Sequence, residues 1–323
     1  MPVALGRIPA TPVVTSAAPD VLMVRPARFG WNPETQASNA FQRDAADLAS
    51  AAGARARAEF DAVAEGLRAA GVRVQVVEDR ESPACPDAVF PNNWLSLHED
   101  GTAVLYPMLA PNRRLERRHD VLDHLRDAGY ELHRVIDLSP HEARGEFLEG
   151  TGSLVLDHAA RIAYACRSPR THAAPLDAFC AALGYAPCLF DAADAAGRPI
   201  YHTNVILSVG PSLVVVASDS IAAADRERVL ASLARPGRAV VTIDHGQVTR
   251  FAGNVLELQA ADGARVLALS RAAAHALDAT AAATLRSAID RSVAVPIPTI
   301  ETLGGGSVRC MLAENFLPRR SDA

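Results

Sequence analysis

The sequence predicts a single α/β domain built from a repeated unit of strand, strand, helix and strand. This order recurs over residues 94–136, 154–190 and 205–243, which is too regular for two unrelated domains. The chain lacks the strict strand–helix alternation of a Rossmann sheet, and no low-complexity linker divides it. We find no repeat at the level of residues, so the repetition is expected in the structure alone.

Each element is predicted from its apolar pattern. Short apolar runs bounded by turn residues predict strands at 21–24, 72–77, 94–97, 103–106, 131–136, 154–156, 162–166, 188–190, 205–209, 213–217, 240–243, 255–258, 266–269 and 308–312. Apolar residues at helical spacing predict helices at 42–70, 113–128, 172–183, 222–233 and 270–289. We expect a flexible arm over 1–20, one catalytic domain over 21–318 and a short tail over 319–323.

Composition excludes several classes of protein. The chain has 323 residues, of which 49% are hydrophobic, so it can bury a sizeable core. Its net charge of −5 argues against a nucleic-acid binder, and no apolar run approaches the ~20 residues of a membrane span. The first 18 residues lack the pattern of a signal peptide. We therefore expect a cytoplasmic protein.

The five cysteines are odd in number and irregularly spaced, which argues against a disulfide framework and a cysteine-based zinc site. No HExxH motif appears, so we expect no metal. Lysine is absent, which excludes a lysine Schiff base and a P-loop lysine. We expect no cofactor.

The most informative stretch follows three glycines at 304–306. The glycines allow close backbone approach, and the apolar run at 308–312, predicted to be a strand, carries Cys310. A thiol beside a glycine loop is a candidate nucleophile. The alternative is a buried small hydrophobe, the usual environment of a free cysteine.

Three further segments bring polar side chains to the ends of predicted strands, where scaffolds often place chemistry. The first runs from Asp87 to Asn92 and Asn93; its alternative interpretation is an ordinary turn. The second is Glu149 before Gly-Thr-Gly-Ser, which is otherwise a surface loop. The third is His202, a candidate general acid or base that Glu149 orients, or else a histidine satisfied at the core edge.

Arginines supply a fourth group. Arg170 lies in a loop before a predicted helix, where its planar fork suits a carboxylate. Four more arginines cluster near the start of the helix at 113–128, and for Arg117 and Arg118 we favour a solvated face.

Taken together, these segments resemble the amidinotransferase, or guanidine-modifying, superfamily of pentein fold, from about residue 21 to 316. The likeness is carried by Val-Arg-Pro at 24–26, Phe-Pro-Asn-Asn-Trp at 90–94, Glu-Gly-Thr-Gly-Ser at 149–153, Tyr-His-Thr-Asn at 201–204 and Gly-Gly-Gly-Ser-Val-Arg-Cys at 304–310. It is nearest to the bacterial branch of citrulline-utilisation hydrolases. The resemblance implies a five-bladed, pseudo-symmetric α/β propeller of ββαβ units.

The resemblance also implies roles at matching positions. Cys310 matches the nucleophile, His202 the catalytic histidine and Glu149 its acidic partner. Asp87 matches the residue that holds the substrate α-amino group. Two arginine segments match those that hold the α-carboxylate; from them we assign Arg170 and Arg114, with Arg113 as the neighbouring alternative to Arg114.

The chain departs from the family pattern where a guanidinium would bind. Asn92 and Asn93 replace two adjacent acids, Gly305 replaces an aspartate, and Asn204 lies where arginine deiminases have another aspartate. A guanidinium has five donors and no acceptor, whereas an amide pairs with both the carbonyl and the N–H groups of a neutral ureido group. We therefore expect citrulline as substrate, giving ornithine, CO2 and ammonia through a covalent S-carbamoyl intermediate.

Alternative functions are also consistent with the sequence. Within the superfamily these are an arginine deiminase, a methylarginine hydrolase or an amidinotransferase; outside it, a non-catalytic propeller that binds arginine-like amino acids. The expected partner is a small amino acid, with homo-oligomerisation left open. We also ask whether the polar loop at 30–39 covers the substrate.

Overall fold

The computed structural model describes residues 17–45 and 51–320. Their strands are β1 (Asp20–Arg25), β2 (Arg73–Glu78), β3 (Leu95–Leu97), β4 (Thr102–Leu105), β5 (Arg134–Asp137), β6 (Leu154–Asp157), β7 (Ile162–Cys166), β8 (Ala186–Phe190), β9 (Leu207–Val209), β10 (Leu213–Val216), β11 (Ala239–Thr242), β12 (Leu256–Gln259), β13 (Arg265–Ser270), β14 (Arg291–Val295) and β15 (Ala313–Asn315).

Helices follow or precede most of these strands. They are α1 (Pro33–Gln36), α2 (Ala52–Ala69), α3 (His119–Asp127), α4 (Gly150–Ser153), α5 (Ala173–Leu183), α6 (Ala223–Leu233), α7 (His245–Val248), α8 (Arg271–Ala276) and α9 (Ala279–Ala288). Short 3₁₀ turns span Pro91–Asn93, Pro111–Glu116, Ser139–Arg144, Thr203–Val205, Ser218–Ser220 and Val308–Met311, and a π-helical turn spans Ile300–Gly304.

The strands form five similar units. In each unit the first strand is antiparallel to the second, and the second is parallel to the third. A helix connects the second strand to the third, because parallel strands need a crossover connection. The repeated order inferred from the sequence is thus present five times.

The chain closes the ring of units with its own end. The C-terminal strand β15 is the first strand of the unit that contains β1 and β2, so both ends of the chain build one unit. The first strand β9 packs against the first strands β6 and β12, and β15 pairs with β3 through Asn315 and Leu97. The turns that precede β3, β6, β9 and β15 also contact one another.

Buried apolar side chains fill the space between the sheets and the outer helices. The largest cluster joins the units of β6–β8, β9–β11 and β12–β14. A second cluster packs α2 against β1 and includes Cys310 and Met311. The loop that carries the candidate nucleophile is thereby anchored in the core.

Several predicted boundaries are wrong, for identifiable reasons. The run at 308–312 is a 3₁₀ turn rather than a strand, and the strand begins at Ala313. The helix predicted at 42–70 begins at Ala52; residues 46–50 lie outside the described ranges. The helix at 113–128 is split into a 3₁₀ turn and α3, and Asp278 caps a second helix within 270–289. β14 was not predicted.

The chain ends differ from the expected arm and tail where they are described. Ala18 is buried and bridges to Leu258, and Asp20 already begins β1. Arg320 donates its backbone N–H to Gly129. Residues 1–16 and 321–323 lie outside the described ranges. Within the described ranges, no helix combines the length and hydrophobicity that a membrane crossing needs.

Candidate active site

One small cavity lies among the turns that precede β3, β9 and β15. Its lining comprises Thr35, Asn39, Asp87, Phe90, Asn93, Arg113, Arg170, Tyr201, His202, the glycines at 304–306 and Cys310. The fold thus brings six separate parts of the chain to one place. A cavity with a few convergent polar groups is where a small ligand usually binds.

Cys310 is held in a 3₁₀ turn directly before β15. Its side chain is 4% exposed, and its sulfur faces two carboxamides. The Nδ2 atom of Asn254 lies 3.2 Å from Sγ, and the Nδ2 atom of Asn204 lies 3.5 Å from it. The thiol also donates to Asn254 Oδ1 at 3.6 Å. Among the described residues these two asparagines are the sulfur's hydrogen-bond partners, and neither carries a charge.

The glycines before Cys310 are required by close packing. A Cβ on residue 305 would lie 2.6 Å from the Asn39 amide nitrogen, and Gly305 has φ +63°, which only glycine adopts without strain. Asn39 therefore covers the position where the family pattern has an aspartate.

His202 and Glu149 form a buried pair. His202 Nε2 lies 2.9 Å from Glu149 Oε2, and neither side chain is more than 3% exposed. Burial would raise the pKa of Glu149, but the charge of Arg170 and the hydrogen bond from His202 outweigh it and hold that pKa below its usual range. Glu149 is therefore a carboxylate and an acceptor, which places the His202 proton on Nε2.

Burial also lowers the pKa of His202 to about 4, although the hydrogen bond to Glu149 opposes this shift. The imidazole is thus neutral near pH 7, with a lone pair on Nδ1. A positive charge on His202 therefore cannot stabilise the Cys310 thiolate in the free protein.

Asp87 presents a carboxylate oxygen that has no hydrogen-bond partner within the described ranges. Its Oδ2 accepts from Asn32 Nδ2 at 2.7 Å and from Thr35 Oγ1 at 3.4 Å. Its buried Oδ1 has no hydrogen-bond partner among the residues that the structure describes. Burial raises the pKa of Asp87 above its ordinary value, even though Arg113 nearby opposes this. An ammonium group bound here would supply the missing donor and stabilise the charged form.

The structure brings Arg113 to the cavity and turns Arg114 away from it. Arg114 is partly exposed and donates to the carbonyls of Met108 and Leu109. Arg113 is buried, makes two hydrogen bonds of 2.9 Å to Glu116, and lies 3.7 Å from Asp87. We therefore replace Arg114 with Arg113 as the candidate carboxylate-binding residue.

Arg170 lines the cavity as expected, and the N-terminal loop lies over it. Its guanidinium donates to Glu149 at 3.2 Å, to the Ser38 hydroxyl at 2.7 Å and to the Thr35 carbonyl at 3.0 Å. The loop at 30–39 thus covers this side of the cavity.

The three predicted asparagines occupy different positions. Asn93 lines the cavity, and its Oδ1 accepts from Arg113 Nη1 at 2.9 Å, so its Nδ2 is left as a free donor. That nitrogen and His202 Nδ1 both lie against Gly152, where a Cβ would be 2.5 Å and 2.7 Å away from them. Asn204 reaches the sulfur. Asn92 is buried but does not line the cavity.

Sequence reasoning missed Asn254, which contacts the sulfur, together with Asn32 and Asn39. A usable signal was present for Asn254. An asparagine followed by two apolar residues occurs as Asn93-Trp94-Leu95, Asn204-Val205-Ile206 and Asn254-Val255-Leu256, each at the start of the first strand of a unit or just before it. This weak residue-level repeat differs from the expectation that the repetition is present in the structure alone. Within the described ranges, no cluster of histidine, cysteine and acidic residues is arranged to hold a metal.

Comparison with known proteins extends these observations. Residues 25–317 match the family model described as N,N dimethylarginine dimethylhydrolase, eukaryotic. No curated protein matches the chain.

Solved structures match over most of the chain. The N-terminal domain of ArgZ, an arginine dihydrolase from the ornithine–ammonia cycle in cyanobacteria, has a TM-score of 0.68 at 15% identity, covering 92% of this chain and 99% of that one. An AgrE mutant with L-arginine has a TM-score of 0.71 at 15% identity, covering 94% of this chain but 41% of that one. A dimethylarginine dimethylaminohydrolase adduct has a TM-score of 0.61 at 15% identity, covering 91% and 98%. At these identities the likeness confirms the predicted fold and no more.

Proposed function

We propose that this chain, which belongs to the N,N-dimethylarginine dimethylhydrolase family of the guanidine-modifying (pentein) superfamily, hydrolyses citrulline to ornithine, CO2 and ammonia. Family membership makes the chain a hydrolase of the guanidino-modifying type. The choice of citrulline over arginine or a methylarginine is our proposal.

One observation carries this choice: the groups that contact the Cys310 sulfur are carboxamides. A guanidinium buried beside Sγ would need carboxylates, because an unpaired buried charge is costly. Asp87 lines the cavity but is the candidate partner of the ammonium group, and Glu149 does not line the cavity and is already bonded to Arg170 and His202. A neutral ureido group avoids this penalty.

The cavity can also hold both α-substituents of an amino acid. Asp87 has a free oxygen for the ammonium group, and Arg113 and Arg170 offer guanidinium groups for the carboxylate. The Asn93 Nδ2 donor suits the ureido oxygen, because Arg113 occupies its Oδ1. These groups would hold the ureido carbon between Cys310 and His202.

The chemistry follows from these positions. As the Cys310 thiol ionises, its proton passes to Nδ1 of neutral His202, and Sγ bonds to the ureido carbon. His202 then gives that proton to the leaving ornithine nitrogen as the C–N bond breaks. Water, deprotonated by His202, attacks the S-carbamoyl carbon. The thiol regains its proton, and the released carbamate breaks down to CO2 and ammonia.

The names of the structural neighbours define the main rival, an arginine dihydrolase that acts on the guanidino group first. Purified protein should be incubated separately with citrulline, arginine and a methylarginine, and ornithine, citrulline and ammonia should be quantified. Our proposal requires ornithine from citrulline at the highest rate. Faster turnover of arginine or methylarginine, whether to citrulline or to ornithine, would refute it.

A further inference from the structure

The way in which the free protein stabilises the Cys310 thiolate needs an explanation. A cysteine nucleophile reacts as its thiolate, yet the neighbouring histidine is neutral near pH 7 because burial lowers its pKa to about 4. The charged groups of the cavity are Asp87, Arg113 and Arg170, and Tyr201 is its other titratable group. None of these side chains forms a hydrogen bond with Sγ within the described part of the chain. Something else must favour the sulfur anion.

We propose that Asn254, together with Asn204, is a catalytic group that stabilises the Cys310 thiolate through carboxamide hydrogen bonds. The inference rests on the proposed function in taking Cys310 as the nucleophile, and it is independent of which substrate is used.

The orientation of the Asn254 amide is fixed by its surroundings. The same Nδ2 atom that lies 3.2 Å from Sγ also lies 3.1 Å from the backbone oxygen of Asn204. That carbonyl can only accept, so the atom facing it must be the nitrogen. The sulfur is therefore presented with an N–H donor, which lies nearer to it than Asn254 Oδ1, at 3.6 Å, does.

The turn before Asn254 has a backbone conformation that positions this amide beside the sulfur. Phe251 has φ +61°, an uncommon conformation for a non-glycine residue, and its carbonyl accepts from the Asn254 N–H at 2.8 Å. A Cβ on Gly253 would lie 2.4 Å from the Val205 oxygen, so the turn can approach the neighbouring unit only with glycine there. Strained backbone of this kind is often kept at functional sites.

Burial of the sulfur makes the N–H donors of Asn254 and Asn204 important for stabilising its anion. Asn254 is 1% exposed, Asn204 is 0% exposed and Cys310 is 4% exposed, so water contributes little to solvating the sulfur. A buried anion without donors is strongly disfavoured. Two N–H groups aimed at Sγ stabilise the thiolate much more than the thiol, because hydrogen bonds to a charged group are stronger.

The test measures thiolate formation without any substrate. The rate of Cys310 alkylation by iodoacetamide is followed against pH by mass spectrometry of the Cys310 peptide, with the Cys310→Ser protein as the blank. Burial raises the pKa of Cys85 to about 11, and of Cys166 and Cys180 to about 12, so those thiols do not compete near neutral pH.

Asn254→Ala and the near-isosteric Asn254→Asp are compared with a matched buried asparagine. Asn315 is 0% exposed, and its Oδ1 accepts from the Leu317 N–H away from the sulfur. We expect the midpoint of the alkylation curve to move up by about one pH unit in Asn254→Ala, a tenfold loss of thiolate, and further in Asn254→Asp. Asn315→Ala should keep the original midpoint.

An unchanged midpoint in folded Asn254→Asp would overturn the proposal, as would an equal shift in Asn315→Ala. Thermal melting by circular dichroism establishes which variants are folded. If Asn254→Ala fails to fold, Asn254→Asp and Asn204→Ala decide the question. Because no substrate is present, a protein that failed to hydrolyse citrulline would still give a clear result here.

Discussion

Replacing Asn93 with aspartate should move the preference of the enzyme from citrulline towards arginine. The substitution is nearly isosteric, and one carboxylate oxygen can keep the 2.9 Å contact with Arg113 Nη1. The other oxygen takes the place of the free Nδ2 donor. It cannot donate to a ureido oxygen, but it can accept from a guanidinium.

The magnitude follows from the two hydrogen bonds that change. Leaving a buried donor or acceptor without a partner costs about 1–3 kcal/mol, and a hydrogen bond to a charged group contributes about 1.5–3 kcal/mol. Because Arg113 already neutralises part of the new charge, we take the combined change as about 3 kcal/mol, which is a factor of about 100 in relative kcat/KM.

The assay is kcat/KM for ornithine release from citrulline and for substrate loss with arginine, measured in parallel. Asn92→Asp is the matched control, because Asn92 is equally buried but does not line the cavity, so its ratio should not change. A ratio within about threefold of the unmodified enzyme in Asn93→Asp would refute the reasoning, as would the same shift in both variants.

Three further substitutions test other parts of the site. Asp87→Asn removes the expected ammonium partner, so KM for citrulline should rise about 10- to 100-fold. In the unmodified enzyme, burial raises the pKa of Asp87, so as the pH falls KM should begin to rise at a higher pH than it would with an ordinary aspartate. Arg113→Lys should raise KM at least tenfold by losing the planar fork, whereas Arg114→Ala should change KM less than about threefold; equal effects would contradict our assignment. Gly152→Ala should reduce kcat strongly in a folded protein, because its Cβ would lie 2.5 Å from the Asn93 amide, and an unchanged kcat would show that this packing is unimportant.

The sequence predicted the repeated unit and the approximate position of most elements because apolar runs and turn residues record them locally. It placed Cys310 on a strand, but three preceding glycines and packing against Phe90 leave the cysteine in a tight turn before β15. The predicted start of the helix at 42–70 is too early, because Asn39 and Gln42 belong to a loop that makes tertiary contacts over the cavity. Helical periodicity in the sequence does not reveal such contacts.

The choice of the arginine residue that binds the substrate carboxylate illustrates a limit of motif matching. Arg113 and Arg114 are adjacent, and adjacent residues in a 3₁₀ turn point in different directions. The motif match assigned Arg114 and did not use the position of Glu116, three residues after Arg113, where the two side chains align in such a turn and pair. Asn254 was missed for another reason: its contact with Cys310 joins residues 56 positions apart, and only the fold brings them together.

The most direct test of the account is the chemical identity of the group that Cys310 carries during turnover. The protein is mixed with citrulline or with arginine, quenched in acid within the first turnovers, and the Cys310 peptide is analysed by mass spectrometry. We predict a carbamoyl group on Cys310 from citrulline and little modification from arginine. An amidino adduct from arginine, either bare because ornithine has left or still bonded to the ornithine nitrogen because ammonia has left, with no adduct from citrulline, would contradict the central claim.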